Sequence, residues 1–156
     1  MLGSKETMRV GDVLREERYV SRRDIRRYAL SIGANDPVHH DVEAAKAAGF
    51  GDLVAPSSFY CSLGLSLGRL VGREALGSEG LPLVDELSGR RVVAGETLVN
   101  WYGDILANTE IDVEQTLTEI EKREGSRGVI ELYRYRRRYL DGNHLLVEEQ
   151  FTRIAR

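Results

Sequence analysis

Ile111-Asp112-Val113-Glu114-Gln115-Thr116-Leu117-Thr118 alternates residue by residue between one register (111, 113, 115, 117) and a polar one. Side chains of an extended chain point alternately to its two faces, so a two-residue period marks a half-exposed β-strand. Leu145, Val147, Glu149, Phe151 and Arg153 repeat the pattern downstream. Four strands are expected: Arg91 to Tyr102, Ile111 to Glu121, Gly128 to Tyr139 and Leu145 to Ile154. Gly125-Ser126 and Asp141-Gly142-Asn143 fall where hairpin turns belong, and Asp-Gly is a strong turn signal. Arg134, Arg136, Arg137 and Arg138 form a basic run, read as a solvated strand face in preference to a ligand site.

Upstream the period changes to that of helices. Ser21-Arg22-Arg23-Asp24 has the form of a capping box, followed by Ile25, Tyr28, Ala29 and Ile32 at helical spacing and by Gly33 as a left-handed stop. Asp41 is placed to cap a short helix, Glu43 to Ala48, closed by Gly49. Val54-Ala55-Pro56-Ser57-Ser58 opens a third helix, Ser58 to Val71, apolar on more than one face and therefore central and buried. Helices first and antiparallel strands after predict an α+β domain with one buried helix against a sheet.

The 156 residues suit one domain, expected over 10–156 behind a flexible tail at 1–9. Apolar residues at 42% and charged residues at 30% argue for a globule, and a net charge of −3 argues against nucleic acid as a partner. The single cysteine, Cys61, forms no internal disulfide and is read as a small core residue. Met1 to Val10 lacks the apolar segment of a signal peptide, and Leu53 to Val71 is interrupted by Pro56, Ser, Gly and Arg69, so neither membrane export nor a membrane span is expected; the expected location is cytoplasmic. No metal and no cofactor are expected: three histidines and one cysteine have the wrong spacing for zinc, and Gly49-Phe50-Gly51 lacks the βαβ layout of a dinucleotide site.

Two places can carry chemistry. Asn35-Asp36-Pro37-Val38-His39-His40-Asp41 crowds two imidazoles and two carboxylates between helix ends, and a histidine oriented by a carboxylate moves protons near neutral pH. The same residues also read as two capping aspartates and two loop histidines. Ala55-Pro56-Ser57-Ser58 places free helix-start amides where a thioester oxygen can be held, and equally reads as an ordinary helix start. Trp101 and Tyr102 suit either the lining of a ligand tunnel or plain core, Tyr133, Tyr135 and Tyr139 suit a sheet face or dimer contact, and His144 belongs to an exposed turn.

Tyr28-Ala29…Gly33…Asp36-Pro37-Val38-His39…Asp41…Ala44…Gly49-Phe50-Gly51-Asp52-Leu53-Val54-Ala55-Pro56, with Val92-Val93-Ala94-Gly95-Glu96, Tyr102-Gly103-Asp104 and Glu121-Lys122-Arg123…Gly128 downstream, resembles the MaoC-like (R)-specific hydratases and dehydratases, in particular the fatty-acid-synthase dehydratase-region type. The resemblance implies a hot-dog fold, a curved antiparallel sheet wrapped around a long central helix, pairing as a homodimer or as a heterodimer with another hot-dog subunit. It implies hydration or dehydration of an acyl-CoA or acyl-carrier-protein thioester. His39 matches the family's catalytic histidine, Asp36 is a candidate orienter, His40 a neighbouring contact, and Ala55, Pro56, Ser57 and Ser58 the thioester site. The family's catalytic aspartate falls on Ala34, which leaves three readings: Asp36 substitutes for it, His40 is the base, or this chain is the less active half of a heterodimer. Outside the hydratase reading stand a hot-dog thioesterase, still an enzyme, and a non-catalytic partner subunit that shapes the acyl tunnel. The thioesterase normally needs a carboxylate on the central helix, and Ser58 to Val71 has none.

Overall fold

A computed structural model describes residues 9–64 and 91–156. The expected tail falls almost wholly outside them, as does the expected central helix beyond residue 64.

The chain starts with strand β1 (Val13–Val20) and helix α1 (Arg22–Ile32), then a 3-10 turn (Pro37–His39), helix α2 (Val42–Ala47) and a second 3-10 turn (Ser57–Leu63). Strands β2 (Val92–Trp101), β3 (Thr109–Gly125), β4 (Gly128–Asp141) and β5 (His144–Ala155) follow. They form one five-stranded sheet in the order β1-β3-β4-β5-β2, every pair antiparallel. All four expected strands are present, joined at the expected turns, and β1 is additional. Its alternation is hidden from sequence because its inward row mixes Leu14 and Val20 with Glu16 and Arg18, which lie 3.6 Å apart as an ion pair. A charged strand suits a sheet edge, where it discourages pairing with other chains.

The capping box is realised: Ser21 Oγ accepts from the Asp24 amide, and the Asp24 carboxylate accepts from the Ser21 amide. Gly33 stops α1 at φ 70°, left-handed as expected. One face of the sheet carries the core. Ile111, Val113, Tyr139 and Val147 meet Leu53, Ala55, Phe59 and Tyr60, while Leu117, Tyr133, Tyr135, Phe151 and Ala155 form a second apolar cluster. Each buried Val, Leu, Ile or Phe side chain among them contributes about 1.5–3 kcal/mol. Between the clusters runs a polar row: Gln115, fully buried, accepts from Arg137 Nε at 3.0 Å, and Arg137 lies 3.7 Å from Glu149.

Four expectations are corrected. Residues 57–63 are 3-10, not α-helical, and Pro56 precedes them with no side-chain cap. The Ser57 carbonyl is taken by Trp101 Nε1–H at 2.8 Å and the Ser58 carbonyl by the Tyr28 hydroxyl at 3.0 Å, so the first turn is tied sideways to its neighbours. Cys61 is exposed, on the outer side of that turn between buried Tyr60 and Leu63. Trp101 and Tyr102 are not core; they are 52% and 62% exposed beside the β2 edge. The arginine run is not simply solvated: Arg134, Arg136, Arg137 and Arg138 are half-buried, with Arg137 on the core side and stacked on Phe151 at 5.0 Å.

Candidate active site

Three stretches of backbone lie side by side here. Leu53 to Ala55 is extended and pairs with 105–107 through Ala55 N–H to Ile105 O (2.8 Å) and Ala107 N–H to Leu53 O (2.9 Å). On its other edge Val54 N–H donates to Val38 O at 3.0 Å. The 3-10 turn Pro37–His39 is thereby docked against the 53–55 strand. Pro37 suits the first position of a turn, and the Asp36 carboxylate caps it by accepting from Val38 N–H at 3.1 Å.

His39 Nδ1 lies 2.6 Å from the Val54 carbonyl oxygen. A carbonyl only accepts, so Nδ1 carries the hydrogen and Nε2 keeps its lone pair, free to accept a proton. The orienting partner expected at Asp36 is therefore a backbone carbonyl 15 residues further on, while Asp36 is occupied with capping. Sequence reasoning had no signal for this, since any residue at position 54 supplies a carbonyl. His40 is held the other way round: its Nε2 donates to Ala34 O at 2.7 Å and its own carbonyl accepts from Arg26 Nε at 2.9 Å. Asp41 caps α2 by accepting from Glu43 N–H at 2.9 Å.

The thioester-site candidates divide. Ala55, Pro56 and Ser57 line a cleft of about 300 Å³ with Trp101, Gly103, Asp104, Ile105 and Val147. Ser58 turns away towards α1, where its hydroxyl lies 2.8 Å from the Tyr28 hydroxyl. Tyr28 in turn packs edge-on against Phe59 at 5.4 Å. Tyr60 stands between Trp101 (6.0 Å) and Tyr139 (5.5 Å), and burial, with Cys61 beside it, pushes its hydroxyl well above the ordinary tyrosine range. The carbonyl that holds His39 thus belongs to Val54, the residue immediately before the cleft-lining stretch Ala55–Ser57.

A residue missed as a structural group is Asp52. Its carboxylate accepts two bonds from Arg22 (2.9 and 3.0 Å), one from Asn108 Nδ2 (2.9 Å) and one from the Leu53 amide (2.7 Å). The Arg22 guanidinium holds its carboxyl down at about 2. Asp52 so ties the start of α1, the turn at Asn108 (φ 58°) and the first residue of the 53–55 strand. Among the described residues no helix is long and apolar enough to cross a membrane.

The comparisons agree with this architecture. The family model for the FAS1-like dehydratase domain region matches residues 6–149. A UPF0336 protein of Clavibacter michiganensis subsp. michiganensis is 33% identical over 102 residues, 65% of this chain and 62% of that protein. The chain spans about 62% of the length of this and a second such relative. Among solved structures, the C-terminally truncated HadBC (3R-hydroxyacyl-ACP dehydratase) complex of Mycobacterium tuberculosis superposes with a TM-score of 0.67 at 18% identity, over 97% of this chain and 98% of that one. A MaoC-like dehydratase from Rhodospirillum rubrum gives 0.68 at 21% identity, over 95% and 92%. These structures establish the hot-dog fold. With its family model covering nearly the whole chain, this protein belongs to the FAS1-like dehydratase domain region family.

Proposed function

We propose that the chain is a hydro-lyase subunit that adds water to, or removes it from, the α,β double bond of an acyl thioester carried by CoA or an acyl carrier protein. The observation that carries the reading is the His39 ring, with Nδ1–H on the Val54 carbonyl and Nε2 left as the base. In the hydration direction Nε2 takes a proton from water as the oxygen adds to the β-carbon, and the imidazolium returns a proton to the α-carbon. The Ser57 and Ser58 amides, at the start of a helical turn, hold the thioester oxygen as negative charge gathers on it. Ala55 and Pro56 wall the cleft, His40 buttresses the loop, and Asp36 acts through the turn it caps. The location proposed is the cytoplasm.

Sheet order supports assembly as a dimer, with itself or with another hot-dog subunit. Among the described residues strand β2 is an edge of the sheet, and Leu98, Trp101 and Tyr102 at that edge are exposed apolar surface. A second reading, a partner subunit that shapes the acyl tunnel for a catalytic mate, is favoured by Ala34, where the family pattern has a carboxylate, and by the commitment of Asp36 to a cap.

The test supplies an enoyl-CoA to the purified chain, alone and with a co-encoded homologue, and follows loss of double-bond absorbance. Activity of the chain that drops by about 10²–10⁴-fold in His39→Ala supports the catalytic reading. Activity only with the mate, indifferent to His39→Ala, supports the partner reading. Thiol release without hydration overturns both in favour of a thioesterase.

A further inference from the structure

The arginines on the outer face of β4 differ in what the sheet register gives them. Arg138 pairs across with Glu114 on β3 and Glu148 on β5, and its guanidinium lies 3.9 Å from each carboxylate. Arg134 pairs with Glu119 and reaches Glu119 and Glu121 at 2.8 and 2.7 Å. Arg136, between them, pairs with Thr116 and Gln150, both neutral. Among the described residues no carboxylate meets its guanidinium, and its Nε–H is closed to solvent without an acceptor.

That charge lies at a cleft of about 360 Å³ whose lining includes Glu96, Thr118, Arg134, Arg136, Gln150 and Thr152. The cleft sits where β3 and β2 each shift register, between Leu117 and Glu119 and between Ala94 and Thr97. Irregular pairing of this kind opens a sheet surface that would otherwise be closed. Arg136 offers a rigid fork of donors, and the Gln150 amide and Thr152 hydroxyl add donors from a second strand. A half-buried guanidinium without a counter-charge is costly, and an anion relieves that cost.

We propose that Arg136 anchors an anion site on the outer face of the sheet, which takes one phosphate-type oxyanion, free or as a phosphomonoester. Converging donors from two strands suit a tetrahedral group, and the volume leaves room for an attached substituent. Glu96, the one carboxylate among the described residues that line the cleft, sets the limit at a single oxyanion and excludes polyanions. The site lies on the opposite face of the sheet from the core cluster that supports His39, so it is independent of the proposed reaction.

The experiment titrates inorganic phosphate, and separately glycerol phosphate, into the full chain and follows the arginine Nε–Hε resonances. One resonance is expected to shift saturably, with a dissociation constant on the order of 1 mM. The melting midpoint should rise by about 4 °C at twentyfold excess over that constant. Arg136→Gln abolishes both effects, Arg136→Lys weakens binding at least about fivefold because the planar fork is lost, and Arg127→Gln on the hairpin leaves it unchanged. Melting of each variant without phosphate separates loss of the site from loss of the fold. Shifts that do not saturate, or that survive Arg136→Gln in a folded variant, overturn the proposal.

Discussion

The segment 34–58 and the sheet it crosses are built on different principles. Beyond the core contacts of Leu53, Ala55 and Phe59, the segment's loops are positioned by a few separate polar bonds, each between residues far apart in sequence: His39 to Val54 O, Arg26 to His40 O, Tyr28 to Ser58, Asp52 to Arg22 and Asn108. The sheet is positioned by continuous ladders and by side chains buried in bulk. One bond removed from the segment displaces one part of the site, whereas one ladder bond removed from the sheet is shared among its neighbours. Changes in the sheet should therefore be felt through volume, and changes in the segment through geometry.

Phe151 gives the largest expected effect on the sheet side. It is 3% exposed, stacks on Tyr135 at 5.1 Å and lies under the guanidinium groups of Arg137 and Arg153 at 5.0 and 4.9 Å. Phe151→Ala leaves a cavity and strips two cations of their ring, and should cost about 4 kcal/mol in denaturant unfolding. Phe151→Leu keeps most of the volume and should cost about 1.5 kcal/mol. Equal losses in the two variants would mean that the stacked charges, and not the packing, hold this end of the sheet.

Asp52 breaks the comparison from the other side, because its bonds are few and charged. Asp52→Asn should lower stability by about 2 kcal/mol at pH 7, the scale of hydrogen bonds to a charged group, with half-exposed Arg22 keeping the figure modest. Its folded carboxyl sits at about 2, below the unfolded value near 4. The stabilisation is complete above the unfolded value and disappears as pH falls from about 4 to about 2. Unfolding curves of the protein and Asp52→Asn should converge over that window. A gap that stays constant down to pH 2 would show that the carboxylate charge contributes nothing.

The same contrast explains what the sequence reveals. β3, β4 and β5 carry their apolar period openly, because one face is buried along most of their length, and α1 announces itself through Ser21, Asp24 and Gly33. β1 does not, because its inward row includes an ion pair. His39 is legible as a residue, but its partner is not: the Val54 carbonyl is common to every residue type, and only the docking of the Pro37–His39 turn against the 53–55 stretch brings it to 2.6 Å. Where an α-helix is expected from Ser58, residues 57–63 form a 3-10 turn, whose first carbonyls are bound by Trp101 and Tyr28, 44 and 30 residues away. Local propensity has no access to such bonds.

The smallest effect carries the sharpest sign. Tyr135 is 1% exposed on the inner face, and its hydroxyl, closed to solvent, has no hydrogen-bond partner among the described residues; burial pushes it up to about 12. A buried hydroxyl left unpaired costs desolvation with nothing in return. Tyr135→Phe retains the ring stacked on Phe151 and removes only the oxygen, so it should raise stability by about 1 kcal/mol. Tyr139→Phe is the internal reference, since that hydroxyl lies 3.4 Å from Glu149 Oε2 and its removal should give no gain. Stability lost in Tyr135→Phe would mean that the oxygen is hydrogen-bonded when the protein is folded. The polar row of Gln115, Arg137 and Glu149 would then extend one residue further down the sheet, and the inner face would be organised around polar groups as much as around its two apolar clusters.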